Sequence, residues 1–255
     1  MGSGGETMDS AMGIATRILY EDNHLLAVNK QVGELVQGDR TGDTCLLDTL
    51  KAFIAQRDHK PGNVFLSPIH RIDRPVSGVV LFAKTSKGLA RMNALFRQRA
   101  VSRHYWAVLE AQLPELSGLL TGYATRNGRI NKTFISPTAS AEAKPVELGY
   151  TLVGASSRYF LYDITLHTGR HHQIRAQVAA ARAPVRGDLK YGAARSLPSG
   201  GIDLHARAVS FEHPVTHAPV AIVAPPPEGK LWQLFVDLAR QQEASQGLPG
   251  AKATK

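Results

Sequence analysis

A single cysteine, Cys45, stands in 255 residues, so no internal disulfide can form. A reducing compartment is expected rather than a secreted disulfide scaffold. One thiol also cannot supply the ligand set of a zinc-dependent base deaminase. No apolar run approaches the roughly 18 residues that a membrane helix needs. The first twenty residues carry Glu6 and Asp9, no apolar h-region and Arg17 as their one basic residue. That makes a poor signal or transit peptide, and the cytoplasm is the expected location. Phosphate-binding glycine loops are missing as well: there is no Walker sequence and no G-x-G-x-x-G after a strand. The tetrapeptide HRID at His70 to Asp73 echoes a kinase catalytic loop, but the spacing differs and the phosphate loop is absent.

Acid is scarce in two places. From Arg74 to Leu109 there are seven basic residues (Arg74, Lys84, Lys87, Arg91, Arg97, Arg99 and Arg103) and no Asp or Glu. From Ile164 to Gly187 there are four (Arg170, Arg175, Arg182 and Arg186), again without an acid. The whole chain carries 30 basic and 21 acidic residues, a net charge of +9; outside those two segments the remainder is slightly acidic. The excess is therefore local, and a positive surface suited to a polyanion is expected.

What is present reads as a mixed α+β fold rather than a regular alternation of strand and helix. Arg17 to Lys30 reads as two short strands about a turn at Glu21–Asn23. Cys45 to Ala55 has helical periodicity, with Leu46, Leu50, Phe53 and Ile54 on one side. Val79 to Lys84 is a near-continuous apolar run, expected as a buried strand. Ser86 is placed to cap a helix whose stripe is Leu89, Met92, Leu95 and Phe96. Tyr105 to Ala111 reads as a strand. Phe160, Tyr162, Ile164 and Leu166 share a strand face by the period of two. Thr168–Gly169 makes a turn, and His171, Arg175, Val178 and Arg182 follow at helical spacing until Pro184. A hairpin within Leu204 to Pro227 and a helix near Lys230–Arg240 close the chain. A single catalytic domain over residues 17–240 is expected, between flexible tails at 1–16 and 241–255. His167, His171 and His172 cluster, but without further ligands at metal spacing no metal is expected.

The residue that invites chemistry is Asp73, set between Arg71 and Arg74 in SPIHRIDRPVSGVVLFAK. It lies in a loop just before the expected buried strand, a rigid place from which to present a side chain. Arg175, on a second basic element, is available to pair with it. A neighbouring cation keeps a carboxylate ionised, fit to act as nucleophile or base.

HRIDRPVSG (His70 to Gly78) resembles the signature H-R-L-D-R-x-T-S-G of the RluA-type family of RNA pseudouridine synthases, with Ile72 and Val76 as departures. Further pieces are similar in order: ILYEDNHLLAVNK, SRHYWAVLE around Tyr105, TGRHHQIRAQ around Arg175, GDLKYGA from Gly187, and LHARAVSFEHPVT from Leu204. The resemblance runs from about Arg17 to about Pro227. Gln31, where members often carry proline, and Ala176–Gln177, in place of a commoner Val-His, depart from the pattern. Many members carry a small RNA-binding domain before the catalytic one; sixteen residues before Arg17 leave no room for it, so recognition by the catalytic domain itself is expected.

The resemblance implies an α+β fold with a mixed, largely antiparallel sheet, flanking helices and a central basic cleft. It implies isomerisation of uridine in structured RNA, an rRNA or tRNA stem-loop, by cleavage of the glycosidic bond and re-formation through C5. It implies Asp73 as the catalytic aspartate, either attacking C1′ or removing the C2′ proton. Tyr105 is then the tyrosine that stacks on the target base, and Arg175 the arginine that pairs with the aspartate. Arg71 enters the RNA stack where the base leaves, and Lys84 lines the same cleft. His70, Arg74, Arg103, Arg170 and His172 complete the expected RNA contacts. No cofactor is implied, and a monomer is expected. Two other readings fit the residues: a non-catalytic RNA-binding or RNA-chaperone module, which Asp73→Asn would leave unaffected, and a Mg²⁺-dependent phosphotransferase or nuclease, which EDTA would stop.

Overall fold

The computed structural model describes residues 13–39, 42–59 and 61–245. The chain divides into two compact units. The first holds the described residues up to His104, with Pro198–Gly201 and His205–Pro225; the second holds Tyr105–Leu197, Ile202–Leu204 and the chain from Pro226.

The first unit contains β1 (Ile18–Glu21), β2 (Leu25–Lys30), α1 (Leu46–Arg57), β3 (Ser67–Pro68), β4 (Ser77–Ala83) and α2 (Ser86–Arg97). The start of β5 (Ser102–Leu109), most of β10 (Leu204–Glu212) and β11 (Pro219–Val223) complete it. Strand order is β1-β2-β4-β10, with β3 on β4 and β11 on β10. Pairings are antiparallel except β4 with β10, which is parallel at Ser77↔His205 and Gly78↔Ala206. The apolar run in β4 is continuous because both faces are covered. Val79, Leu81 and Ala83 pack with Leu25, Ala27 and Met92 of α2. Val80 and Phe82 pack with Leu26, Val28 and with Leu46, Leu50 and Ile54 of α1. A strand period of two thus serves two cores at once. Ile14, within the stretch expected as a tail, is buried in the α1 cluster. The remainder of the expected tails, residues 1–12 and 246–255, lies outside the described residues.

The cap of α2 is Thr85, one residue before the expected Ser86. Thr85 is extended, and its hydroxyl accepts the Gly88 N–H at 3.0 Å, so Ser86 begins the helix.

The second unit contains most of β5, then β6 (Ser117–Asn127), β7 (Lys132–Ser136), β8 (Lys144–Ala155), β9 (Phe160–Leu166), α3 (Gln173–Ala180), a 3₁₀ turn at Leu189–Tyr191 and α4 (Lys230–Ser245). Its strand order is β5-β9-β8-β6-β7. Trp232, Phe235 and Ala239 of α4, at helical spacing, pack on Trp106, Val108 and Leu161. The helix continues past the expected Arg240 to Ser245. In contrast, α3 stops short of the expected Arg182. That residue is left-handed (φ 61°), and the Arg182 and Ala183 N–H groups donate back to Ala179 and Val178, closing the helix before Pro184.

His205, on β10, is fully buried in the first unit. Its ring bridges the Ser77 hydroxyl at 2.8 Å and the Ala224 carbonyl at 3.2 Å, a set of partners that suits a neutral imidazole. Burial pushes its pKa down to about 4, while the Ala224 carbonyl opposes the shift. The unfolded chain binds this proton near pH 6.5 and the folded one only near 4, so stability is lost as pH falls through that window. Each pH unit costs up to about 1.4 kcal/mol for one histidine. Urea unfolding at pH 7 and pH 5 is expected to show a fall in stability that is about 2 kcal/mol smaller in His205→Gln. Equal falls in both proteins would contradict the assignment.

Candidate active site

Within the first unit, each position of HRIDRPVSG has a distinct job. The His70 ring stacks on Phe96 (centroids 5.5 Å apart), and its Nε2 accepts the Leu81 N–H at 3.2 Å. Burial, with the Arg103 guanidinium nearby, drives its pKa down to about 3, so the ring is neutral and its proton sits on Nδ1. His70 therefore pins the loop to β4 rather than offering a cation. Arg71 is exposed, and Ile72 packs on the α1 cluster. Asp73 is half-buried, and its carbonyl accepts the Val76 N–H at 3.0 Å across a turn at Arg74–Pro75. Arg74 is held at both ends. Its carbonyl accepts the Gly33 N–H at 2.9 Å and the Lys30 ammonium at 3.1 Å; its side chain donates to the Gly33 carbonyl and pairs with Asp43 at 2.9 Å. Ser77 meets His205. Gly78, at φ +114°, lies so close to β10 that a Cβ would fall 2.2 Å from the Ala206 carbonyl oxygen, so only glycine fits.

Lys30 was not singled out by the sequence. It is fully buried, and its ammonium donates to the carbonyls of Gln31 (2.9 Å) and Arg74 (3.1 Å). Burial lowers its pKa to about 8, against the opposing fields of Glu34 and Asp73. A cation thus lies beneath the loop that carries Asp73. The signal in the sequence is a lysine ending an otherwise apolar strand. Lys84 spends its ammonium on the Glu21 carboxylate and the Asp22 carbonyl, both at 2.7 Å, fastening the end of β4 to the β1–β2 turn. Arg103 lies over the Phe96 ring at 5.7 Å.

The second unit holds Tyr105, Arg170, His172 and Arg175. Tyr105 is buried on β5, and Arg170 is exposed. His172 is left-handed (φ 51°) at the head of α3, buried, stacked on His171 at 3.7 Å and bonded through Nδ1 to the Tyr191 hydroxyl at 3.0 Å. His171 meets the Thr133 hydroxyl at 3.0 Å, so both rings are built into the packing. Arg175 donates through Nε and Nη2 to the two carboxylate oxygens of Asp188, at 2.6 and 2.9 Å, both residues buried. Its guanidinium also lies 5.0 Å from the Tyr191 ring centre. A bidentate fork and an aromatic face fix the guanidinium plane. Gln177, one of the departures from the family pattern, donates to the Leu120 carbonyl and accepts from Gln173, so its buried amide is paired at both ends. Asp188 and Tyr191, which fix the Arg175 guanidinium, were not singled out from the sequence. Both sit in GDLKYGA, quoted as a motif without a role for its acid.

The first unit thus groups His70, Arg71, Asp73, Arg74, Lys84 and Arg103; the second groups Tyr105, Arg170, His172 and Arg175. The first unit offers a carboxylate on an immobilised loop, and the second a guanidinium held in one plane, two of the groups that acid–base or nucleophilic work on a polyanion uses.

The family model described as RNA pseudouridylate synthase matches residues 24–180. The tRNA pseudouridine synthase C of Haemophilus ducreyi is 33% identical over 222 residues, covering 81% of this chain and 89% of that protein. The ribosomal large subunit pseudouridine synthase C of Vibrio vulnificus is 30% identical over 214 residues, 82% of this chain and 65% of that protein. Among solved structures, human RNA pseudouridylate synthase domain containing 4 superposes with a TM-score of 0.76 at 21% identity, over 92% of this chain and 97% of that one, a likeness of fold. The chain belongs to the RNA pseudouridylate synthase family. It is an isomerase that converts uridine in RNA to pseudouridine. Among the described residues no helix is long and apolar enough to cross a membrane.

Proposed function

We propose that this synthase modifies a uridine in a stem-loop of ribosomal or transfer RNA, as a monomer in the cytoplasm, with Asp73 as its catalytic carboxylate. The observation that carries the reading is the anchoring of the His70–Gly78 loop. Neutral His70, the doubly bonded Arg74 carbonyl and Gly78 against β10 leave Asp73 at the one turn of a fixed frame. The target base leaves its stack, at a cost of a few kcal/mol. Phosphate contacts from Arg71, Arg103 and Arg170 offset that cost.

The N1–C1′ bond of uridine then breaks, either under attack of the Asp73 carboxylate on C1′ or through loss of the C2′ proton to it. The freed uracil, stacked on Tyr105, turns and rejoins C1′ through C5; the C5 proton leaves and N1 gains one. In this reading Arg175, in the plane set by Asp188 and Tyr191, is the cation that balances the charge of the carboxylate. No electrons are exchanged with an external partner, so the reaction requires no redox cofactor.

Release of tritium from RNA labelled at uridine C5 tests this directly. Incubation with tRNA or rRNA from cells lacking the protein is expected to give release that persists in EDTA, and sequencing then locates the modified uridine. Release abolished by EDTA, or none from either RNA, would reject the reading.

A further inference from the structure

The β6–β7 hairpin has no part in the chemistry above. From Leu116 to Ala141 the chain has no Asp or Glu and three basic residues, Arg126, Arg129 and Lys132. The hairpin turns through Asn127 to Asn131. The Asn127 side-chain oxygen accepts the Arg129 and Ile130 N–H groups, and Asn131 takes the left-handed conformation (φ 49°). Lys190, from the 3₁₀ turn, reaches the tip, with its ammonium 3.4 and 3.3 Å from the carbonyls of Ile130 and Asn131. Among the described residues no carboxylate pairs with Arg126, Arg129, Lys132 or Lys190. Amid these cations two apolar side chains stand open: Ile130 is 53% exposed and Phe134 50%.

The hairpin is not loose. The Thr133 N–H donates to the Tyr191 hydroxyl at 2.8 Å, and the Thr133 hydroxyl donates to the His171 carbonyl at 2.8 Å. The Lys132 ammonium lies 5.1 Å from the Tyr191 ring centre, and the Arg175 guanidinium lies 5.0 Å from the same centre. One aromatic ring therefore ties the hairpin to the guanidinium assigned to the reaction.

We propose that the β6–β7 hairpin and the Lys190 turn form an RNA-contact surface for the strand flanking the target uridine. Arg126, Arg129, Lys132 and Lys190 hold phosphates, and Phe134 stacks on an unpaired base. This deepens the proposed function and rests on it for the identity of the polyanion. Four cations without carboxylate partners favour a phosphate backbone over a protein partner. An exposed ring beside them suits an unstacked base, whereas a closed duplex offers no free base face. Lys132, whose ammonium is 5.7 Å from the Phe134 ring centre, adds charge where the base would stack.

The test measures RNA affinity of the full-length protein against salt, with a stem-loop that the wild type modifies. Arg129→Gln/Lys190→Gln is expected to weaken binding about tenfold near physiological salt. It should also reduce the slope of log K against log salt by roughly 1.4 to 1.8, from about 0.7 to 0.9 per lost phosphate contact. Phe134→Ala is expected to weaken binding by five- to tenfold with the slope unchanged, as loss of stacking requires. Arg158→Gln/Arg240→Gln, which removes the same charge from exposed sites elsewhere, controls for net charge and is expected to change the slope little. Equal effects of the two double variants overturn the proposal, as does a Phe134→Ala protein with full affinity. A change of oligomeric state in Phe134→Ala, with RNA affinity kept, would show an interface between copies instead and also overturn it. If the wild type forms pseudouridine while the hairpin variants bind normally, the surface fails and the catalytic reading stands. A wild type that forms none in any RNA rejects the catalytic reading itself.

Discussion

Asp73→Asn is expected to abolish pseudouridine formation, by at least roughly 10⁴-fold, the upper end of what one acid–base group contributes, while RNA affinity stays within a few fold. The substitution is close to isosteric. The turn it sits in is closed by main-chain groups, the Asp73 carbonyl and the Val76 N–H, and the next residue is held through its carbonyl by Gly33 and Lys30. None of these contacts needs the Asp73 carboxylate, so each of them is kept in the variant. What goes is the charge. A neutral amide neither attacks C1′ nor takes the C2′ proton, so both routes stop. Tritium release from C5-labelled RNA measures the loss, and a filter-binding or fluorescence titration measures affinity on the same preparation. Turnover near that of the wild type would remove Asp73 from the mechanism.

Asp188→Asn is expected to cost about a hundredfold in kcat with KM changed only a few fold. Asp188 touches no substrate in the proposed scheme and would act through Arg175, as a positioning residue. Its two oxygens take Nε and Nη2 of a guanidinium that is itself almost fully buried. Asparagine keeps one acceptor but presents an amide NH₂ to the other nitrogen, so the fork opens. Breaking one partner of a buried ion pair costs about 3–5 kcal/mol of stability. Chemical denaturation must therefore accompany the kinetics. A purely structural role predicts fewer active molecules, each with normal kcat once corrected for the folded fraction. A positioning role predicts a folded enzyme with low kcat and a nearly unchanged KM. Normal kcat per folded molecule would confine Asp188 to the scaffold.

Much of the frame was legible because one local rule dominated each piece. The two-face burial of β4 appears as an unbroken apolar run, and the stripes of α1 and α4 appear as helical periods. Errors fall at ends, where one side chain decides: Thr85 caps before Ser86 can, and left-handed Arg182 closes α3 early. The strands β6, β7 and β8 went unread for a different reason. Much of β6 and the ends of β8 are exposed on both sides, so no clean alternation marks them. Their place in a sheet is decided by partners distant in sequence. The same holds at the site. Asp73 and Arg175 stand out by charge and by motif, yet Lys30 and Asp188, the groups that hold them or their loop in place, look ordinary until the fold buries them.

By itself, the order of residues determined the chemistry on offer: one acid in a basic context, arginines in quantity, a single thiol, and a series of motifs sufficient to identify the family. Only the tertiary structure decided which charges are spent within the protein and which remain for a ligand. Lys84 is consumed by Glu21, and the Arg175 plane is set by Asp188, while Arg129 and Lys190 face solvent with no carboxylate partner among the described residues. The physical reason is that charge is a property of composition, but its availability depends on desolvation and on partners brought close by folding, which no local stretch of sequence records.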